Sequence, residues 1–192
     1  MEFRPGQLAG LIELFPRIFE DERGFFWESY NEKTFAEANL PTACQFVQDN
    51  HSWSKKGVLR GLHCQHQPHA QGKLVRCTQG SVLDVVVDIR PDSPTFGQHE
   101  KFLLTASRGN MLWVPGGFAH GFVALEEATF MYKCTNLYNK AAESGLLWND
   151  PALGIDWGLS EYGIEAPTVS AKDQILPNWE EFKSLLGTLQ NS

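Results

Sequence analysis

The sequence has no excess of basic residues, no paired-cysteine motif and no long apolar run. Lysine and arginine total 16 against 23 aspartates and glutamates, a formal net charge of −7. That balance lacks the basic face needed for non-specific nucleic-acid binding, so no nucleic-acid partner is expected. It says little against a small anionic ligand, because a few local cations outweigh a distant negative field. The four cysteines, Cys44, Cys64, Cys77 and Cys134, form no Cys-x-x-Cys pair. Such usage predicts reduced thiols and a cytoplasmic location. No apolar stretch approaches the roughly 20 residues of a bilayer span, and residues 1–6 are neither a charged nor an apolar leader segment. No membrane partner is therefore expected. Repeats, low-complexity tracts and linkers are missing too, which leaves one domain over residues 1–192 as the expectation.

What is present is a series of short strand-forming segments punctuated by glycine and proline. Residues 8–19 read as extended, with a break at Pro16, followed by the turn Asp21-Glu22-Arg23-Gly24. Residues 25–30 are aromatic and strand-like, and residues 32–39 form a short helix ended by Pro41. Residues 46–51 predict a strand with alternating polar positions at Gln48, Asn50 and Ser52. Further strands fall at 58–65, 73–78, 82–89, 102–105, 111–114, 121–124 and 129–134. In the clearest of them Leu83, Val85, Val87 and Ile89 share one face, with Asp84 and Asp88 on the other. Near the end Asn178 is a helix N-cap, with Trp179, Phe182, Leu185, Leu186 and Leu189 at helical spacing behind it. This spacing of strands predicts an all-β sandwich or barrel rather than βαβ units.

One stretch carries more chemistry than the rest. Gly57-Val58-Leu59-Arg60-Gly61-Leu62-His63-Cys64-Gln65, with Lys73 beyond it, sets a histidine, two cations and an amide within a short segment. It reads as the floor of a site that binds an anion and moves a proton. A neutral imidazole such as that of His63 accepts a proton near pH 7. Lys73 shares strand parity with Val75 and Cys77, which turns it inward among small apolar residues. A lysine there is expensive to bury without an anionic partner. Arg23 and Arg60 are the best candidates for a phosphate group, since a guanidinium engages two oxygens through parallel hydrogen bonds.

Two segments, Gly57-x5-His63-x-Gln65 running on to Gly80, and Gly109-x5-Pro115-x-Gly117-x2-His120, resemble the paired motifs of the cupin jelly roll. That resemblance implies a small β-barrel, here with short flanking helices and a C-terminal helix. Cupins commonly hold a metal through histidines and a carboxylate of these motifs. This chain departs from the pattern: Gln65 replaces a histidine, and Lys73 lies where a carboxylate ligand is expected. An ammonium repels a divalent ion, so neither a metal nor another cofactor is expected.

A narrower resemblance rests on segments that occur in order over residues 8–178. They are Arg23-Gly24-Phe25-Phe26-x-Glu28, Gln48-Asp49-Asn50-His51-Ser52, Leu59-Arg60-Gly61-Leu62-His63-x-Gln65, Lys73-Leu74-Val75, Val85-x-Val87-Asp88-Ile89-Arg90, Pro115-x-Gly117-x-Ala119-His120-Gly121-Phe122, Tyr132-x-x-Thr135-x-x-Tyr138, Asn149-Asp150-Pro151 and Ile155-x-Trp157. In these the chain resembles the dTDP-4-dehydrorhamnose 3,5-epimerase family. The resemblance implies a dTDP-4-keto-6-deoxysugar substrate inverted at C3 and C5 through an enolate. It implies His63 as base, Asp173 as the group that orients it, Tyr132 as acid and Lys73 as stabiliser of the enolate oxygen. Asp84 is the alternative partner for His63. Arg23, Phe26, Glu28, Gln48, Asn50, Arg60, His120, Glu143 and Lys172 are implied substrate contacts, and Tyr138 is the implied stacking partner of the thymine.

Other readings stay open. The chain could invert only one carbon, act as a metal-dependent cupin, or bind a sugar nucleotide without turning it over. The family forms homodimers in which N-terminal strands extend the partner's sheet, and residues 8–19 and 25–30 would suit such an exchange. Arg23 and Phe26 would then complete either their own site or the neighbour's.

Overall fold

Short strands with one face apolar must pair and bury that face against another layer. The computed structural model describes residues 1–37, 40 and 45–190. In chain order it contains β1 (Glu2–Pro5), β2 (Ile12–Phe15), β3 (Phe19–Asp21), β4 (Gly24–Phe26), α1 (Glu32–Glu37), β5 (Gln48–Ser54), β6 (Val58–Gln65) and β7 (Lys73–Gln79). Then come β8 (Ser81–Asp88), β9 (His99–Thr105), β10 (Met111–Val114), β11 (Phe118–Ala124), β12 (Ala128–Cys134), β13 (Glu143–Gly145), β14 (Thr168–Val169) and α2 (Trp179–Gln190).

The strands form two facing sheets, ordered β1-β2-β10-β7-β12-β5 and β13-β6-β11-β8-β9, with β14 added parallel to β6. Between them lies a core that includes Val75, Val86, Phe102, Leu112, Phe122 and Phe130. This is the cupin-type jelly-roll barrel that the motif spacing predicts, with α1 and α2 as its flanking helices. A second apolar layer covers the outer face of the β6-β11-β8 sheet and includes Leu59, Val85, Val87, Trp157 and Phe182. A third, with Leu14, Phe35, Leu74 and Trp113, covers the outer face of the other sheet. Because both sheets are covered on both sides, Asp84 and Asp88 face the interior rather than solvent, each at 0% exposure.

Several boundaries differ from the expected ones. The aromatic strand ends at Phe26, because Trp27 and Tyr30 turn back to pack on the outer face of the first sheet. The expected strand at 46–51 runs from Gln48 to Ser54. Helix α1 is described to Glu37, and its expected end at Pro41 lies outside the described residues. The short strands β1, β13 and β14 were not expected. Helix α2 starts as expected: Glu181 N donates to Asn178 Oδ1 and Asn178 N donates to the Glu181 carboxylate, each at 3.0 Å. Phe182, fully buried, anchors it to the barrel, a contribution of about 2–3 kcal/mol for an aromatic side chain of this size. Among the described residues no helix is long and apolar enough to cross a membrane.

Candidate active site

The interior at one end of the barrel is polar. His63 and His120 are register partners on the neighbouring strands β6 and β11, so they point to the same side of their sheet. On the facing sheet, β12 pairs with β7 so that Tyr132 lies beside Val75 and Cys134 beside Lys73. Tyr132 and Lys73 therefore enter the barrel two positions apart. Arg60, His63, Lys73, His120, Tyr132 and Asp173 line one cavity of about 500 Å³. A second cavity of about 280 Å³ shares His63, Lys73 and Tyr132 with the first and adds Gln48, Asn50, Tyr138 and Glu143. A larger groove of about 690 Å³ is lined by residues of the 148–165 segment and by none of these groups.

Asp173 reaches the site from far along the chain. Strand β14 runs parallel to β6, with Thr168 opposite Val58 and Val169 opposite Leu59, and delivers the turn Asp173–Ile175 over the middle of β6. There His63 Nε2 donates to Asp173 Oδ1 at 2.7 Å and Gly61 N donates to Oδ2 at 3.3 Å. Burial works to raise the Asp173 carboxyl, but the His63 bond and the Gly61 and Ser170 contacts outweigh it and hold it below the usual carboxylate range. An ionised Asp173 fixes the proton on Nε2 and leaves the lone pair on Nδ1.

Asp84 does not serve His63. The strand order is β6-β11-β8, so Asp84 lies one strand beyond β11, and His120 Nε2 bonds its Oδ2 at 2.8 Å. The alternative assignment of Asp84 as the partner of His63 is thereby corrected, and the Asp84–His120 pair is one that the sequence reading missed. Its signal was a carboxylate in an otherwise aliphatic strand.

Burial sets the protonation of the remaining groups. It pushes the Tyr132 phenol up, which keeps it a proton donor, and pushes the Lys73 ammonium down, against the opposing pull of Asp84 and Glu143. Tyr138 Oη donates to the Glu143 carboxylate at 2.8 Å, and Lys172 Nζ lies 2.7 Å from the same oxygen. Gln48 Oε1 accepts from Tyr138 N at 2.8 Å. These contacts form a polar rim at the mouth of the smaller cavity. Arg60, at the edge of the larger one, donates to Ser54 Oγ at 3.0 Å and Trp53 O at 3.1 Å.

Gln65 has a different task. Its amide nitrogen donates to His69 O at 2.7 Å and Leu137 O at 3.3 Å, and its oxygen accepts from Asn139 N at 2.7 Å. All its polar groups thus tie loops together. Among the described residues no cluster of three His, Cys, Asp or Glu side chains is arranged to hold a metal ion.

The family model described as dTDP-4-dehydrorhamnose 3,5-epimerase matches residues 5–181. The chain belongs to the dTDP-4-dehydrorhamnose 3,5-epimerase family. It is 56% identical over 171 residues to the epimerase of Salmonella typhimurium, which covers 88% of this chain and 91% of that protein. Among solved structures it is similar to the epimerase from Legionella pneumophila in complex with dTDP-4-keto-L-rhamnose, at a TM-score of 0.88 and 43% identity over 96% of each chain. It is also similar to a 3'-monoepimerase from Streptomyces bikiniensis in complex with dTDP-quinovose. That match has a TM-score of 0.86 and 32% identity, covering 94% of this chain and 89% of the other.

Three of the residues marked by the epimerase-family pattern stand apart from the cavity. Arg23 and Phe26 lie on the β3–β4 hairpin, where Arg23 pairs with Asp21 and Phe26 is 70% exposed. Glu28, also exposed, accepts from Asn31 Nδ2 at 3.1 Å. Neither cavity of the site includes any of the three. Of the segments suited to strand exchange, residues 12–15 pair with β10 of their own sheet, whereas the hairpin pairs with no other strand among the described residues.

Proposed function

We propose that this chain inverts C3 and C5 of dTDP-4-dehydro-6-deoxy-D-glucose to give dTDP-4-dehydro-L-rhamnose. The carrying observation is the placement of a His63–Asp173 pair on one sheet and Tyr132 on the facing sheet, with Lys73 in the same cavity. Inversion beside a ketone needs a base on one face of the carbon, an acid on the other, and stabilisation of the enolate between them. General acid–base groups supply roughly 10²–10⁴-fold, and electrostatic stabilisation of the enolate supplies much of the remainder.

His63 Nδ1 takes the proton from the carbon next to the ketone, and the C–H electron pair moves into the enolate. Lys73 donates to the oxygen at C4, whose growing charge stabilises the buried ammonium. Tyr132 delivers its proton to the opposite face, and the phenolate is reprotonated from solvent. His63 then releases the abstracted proton to solvent, which leaves both groups reset for the second carbon; the steps are redox-neutral and every proton passes through these side chains and solvent. Arg60 and Arg23 hold the diphosphate, and Tyr138 stacks on the thymine, a contact of roughly 1–3 kcal/mol. Phe26, Glu28, Gln48, Asn50, His120, Glu143 and Lys172 complete the substrate contacts. Residues 1–192 act as one domain within a cytoplasmic homodimer, in which the exposed hairpin carries Arg23 and Phe26 into the neighbour's site.

The similarity to a 3'-monoepimerase supports a second reading, inversion at one carbon only. Both reactions use a base and an acid, so the residues alone do not separate them. Proton NMR of the product formed in D₂O counts the exchanged positions. Double epimerisation puts deuterium at C3 and C5. Label at one position alone would establish the second reading in place of the first.

A further inference from the structure

Asp84 is a carboxylate where packing alone favours an aliphatic side chain. It sits in β8 among Val82, Leu83, Val85 and Val86 and is fully buried. Its Oδ2 bonds His120 Nε2 at 2.8 Å, and its Oδ1 has no hydrogen-bond partner among the described residues. A buried acceptor without a partner is costly to keep, so packing alone does not account for it. Burial raises the carboxyl, while the charges of His120 and Lys73 pull it back toward the ionised form. The His120 ring is also stacked on Phe130, with centroids 6.2 Å apart and planes 21° from parallel. With Nε2 committed to Asp84, Nδ1 is the ring nitrogen left for the cavity that His120 lines.

We propose that Asp84 is a positioning residue for His120. Its buried negative charge holds the Nε2 proton and favours the doubly protonated ring, whose Nδ1–H donates a hydrogen bond to the C4 oxygen beside Lys73. This role rests on the proposed reaction, in which negative charge develops at C4. A fixed donor aimed at that charge acts in the transition state and hardly at all on the neutral ketone. Asp84 therefore affects kcat through His120 and leaves ground-state binding alone.

Asp84→Asn keeps an oxygen for the Nε2–H and removes the charge. The expected result is a kcat about 100-fold lower, the scale for loss of one oxyanion donor, with KM and dTDP affinity unchanged. Wild-type kcat in that variant overturns the proposal. Made in a His120→Asn background, the same substitution should cost nothing further, because its route is already cut. A loss that multiplies with that of His120→Asn overturns it. If Asp84→Asn fails to fold, NMR of the wild-type protein with isotope-labelled histidine replaces it. Protons on both ring nitrogens of His120, with that on Nε2 hydrogen-bonded, support the proposal, and a ring with a bare Nδ1 or Nε2 overturns it. Absence of all exchange in the wild-type protein would remove the epimerase reading itself, whereas full turnover in Asp84→Asn removes only the role of Asp84.

Discussion

At the scale of single residues, buried carboxylates divide by what satisfies them. Asp88 is the fully satisfied case. It accepts from Arg90 Nε at 2.8 Å and Nη2 at 2.7 Å, from Arg90 N at 3.0 Å, and from the Ser93 and Thr95 hydroxyls at 2.6 Å each. Burial opposes its ionisation, but these bonds win and hold the carboxyl at about 2 instead of 3.8. A depressed folded-state pKa gives stability that is present above the unfolded value and lost as pH falls through the folded one. The shift corresponds to about 2 kcal/mol. Asp88→Asn should lower the unfolding free energy by about that much at pH 7, and the gap should close between pH 4 and 2. Urea titrations of both proteins across that range measure it; a gap independent of pH would contradict the assignment. The sequence makes Asp88 visible only as a polar position in an apolar strand. The same was true of Asp84, whose partner lies 36 residues away. Period-2 alternation tells which residues share a face, and in a barrel with both sheet faces covered it does not tell which face meets solvent. Lys73 was legible because it shares strand parity with the apolar Val75 and Cys77. Asp173, 110 residues from His63, carries no local signal and came from the family resemblance alone.

At the scale of elements, the site depends on how closely β6 and β11 approach. A Cβ on Gly121 would lie 2.6 Å from Arg60 O and 3.2 Å from Gly61 Cα. Both neighbours are backbone, so the strands themselves would have to separate. The ladder already shifts register between His120 and Phe122, at the position where the two histidines are brought opposite each other. Gly121→Ala should cost about 2 kcal/mol in stability, the range for overpacking. It should also lower kcat about tenfold, because His63 moves with β6. Gly187→Ala is the control: at this exposed position of α2 a Cβ would meet nothing within 4 Å among the described residues. It should leave turnover unchanged and raise stability by about 0.5–1 kcal/mol. Denaturation midpoints and turnover for both variants test the pair of expectations together. Half of the described strands run seven or eight residues, enough for alternation to show. Strand β14 has two residues, too few for any pattern, and yet it delivers Asp173 to His63.

At the scale of the whole molecule, the β3–β4 hairpin is the part that its own chain leaves unexplained. Phe19, Phe25 and Phe26 are 51%, 66% and 70% exposed on a two-stranded sheet that pairs with no other strand among the described residues. An isolated hairpin is marginally stable in water, and an exposed aromatic patch marks a contact surface. Strand β5 meanwhile is, among the described residues, an edge of the sheet that begins with β1, with Trp53 48% exposed on it. If the hairpin completes the neighbour's site, Arg23 and His63 of one working site come from different chains. Two inactive proteins then test the arrangement. Arg23→Ala keeps a sound base but supplies a defective hairpin; His63→Ala supplies a sound hairpin but has no base. Mixed after unfolding and refolding together, half of the dimers are hybrids, and in each hybrid one site receives both intact groups. Activity should recover to about a quarter of the wild-type value per chain, as two-fold symmetry requires. If the hairpin instead served its own chain, every site in the hybrid would lack one group, and the mixture would stay as inactive as its parts.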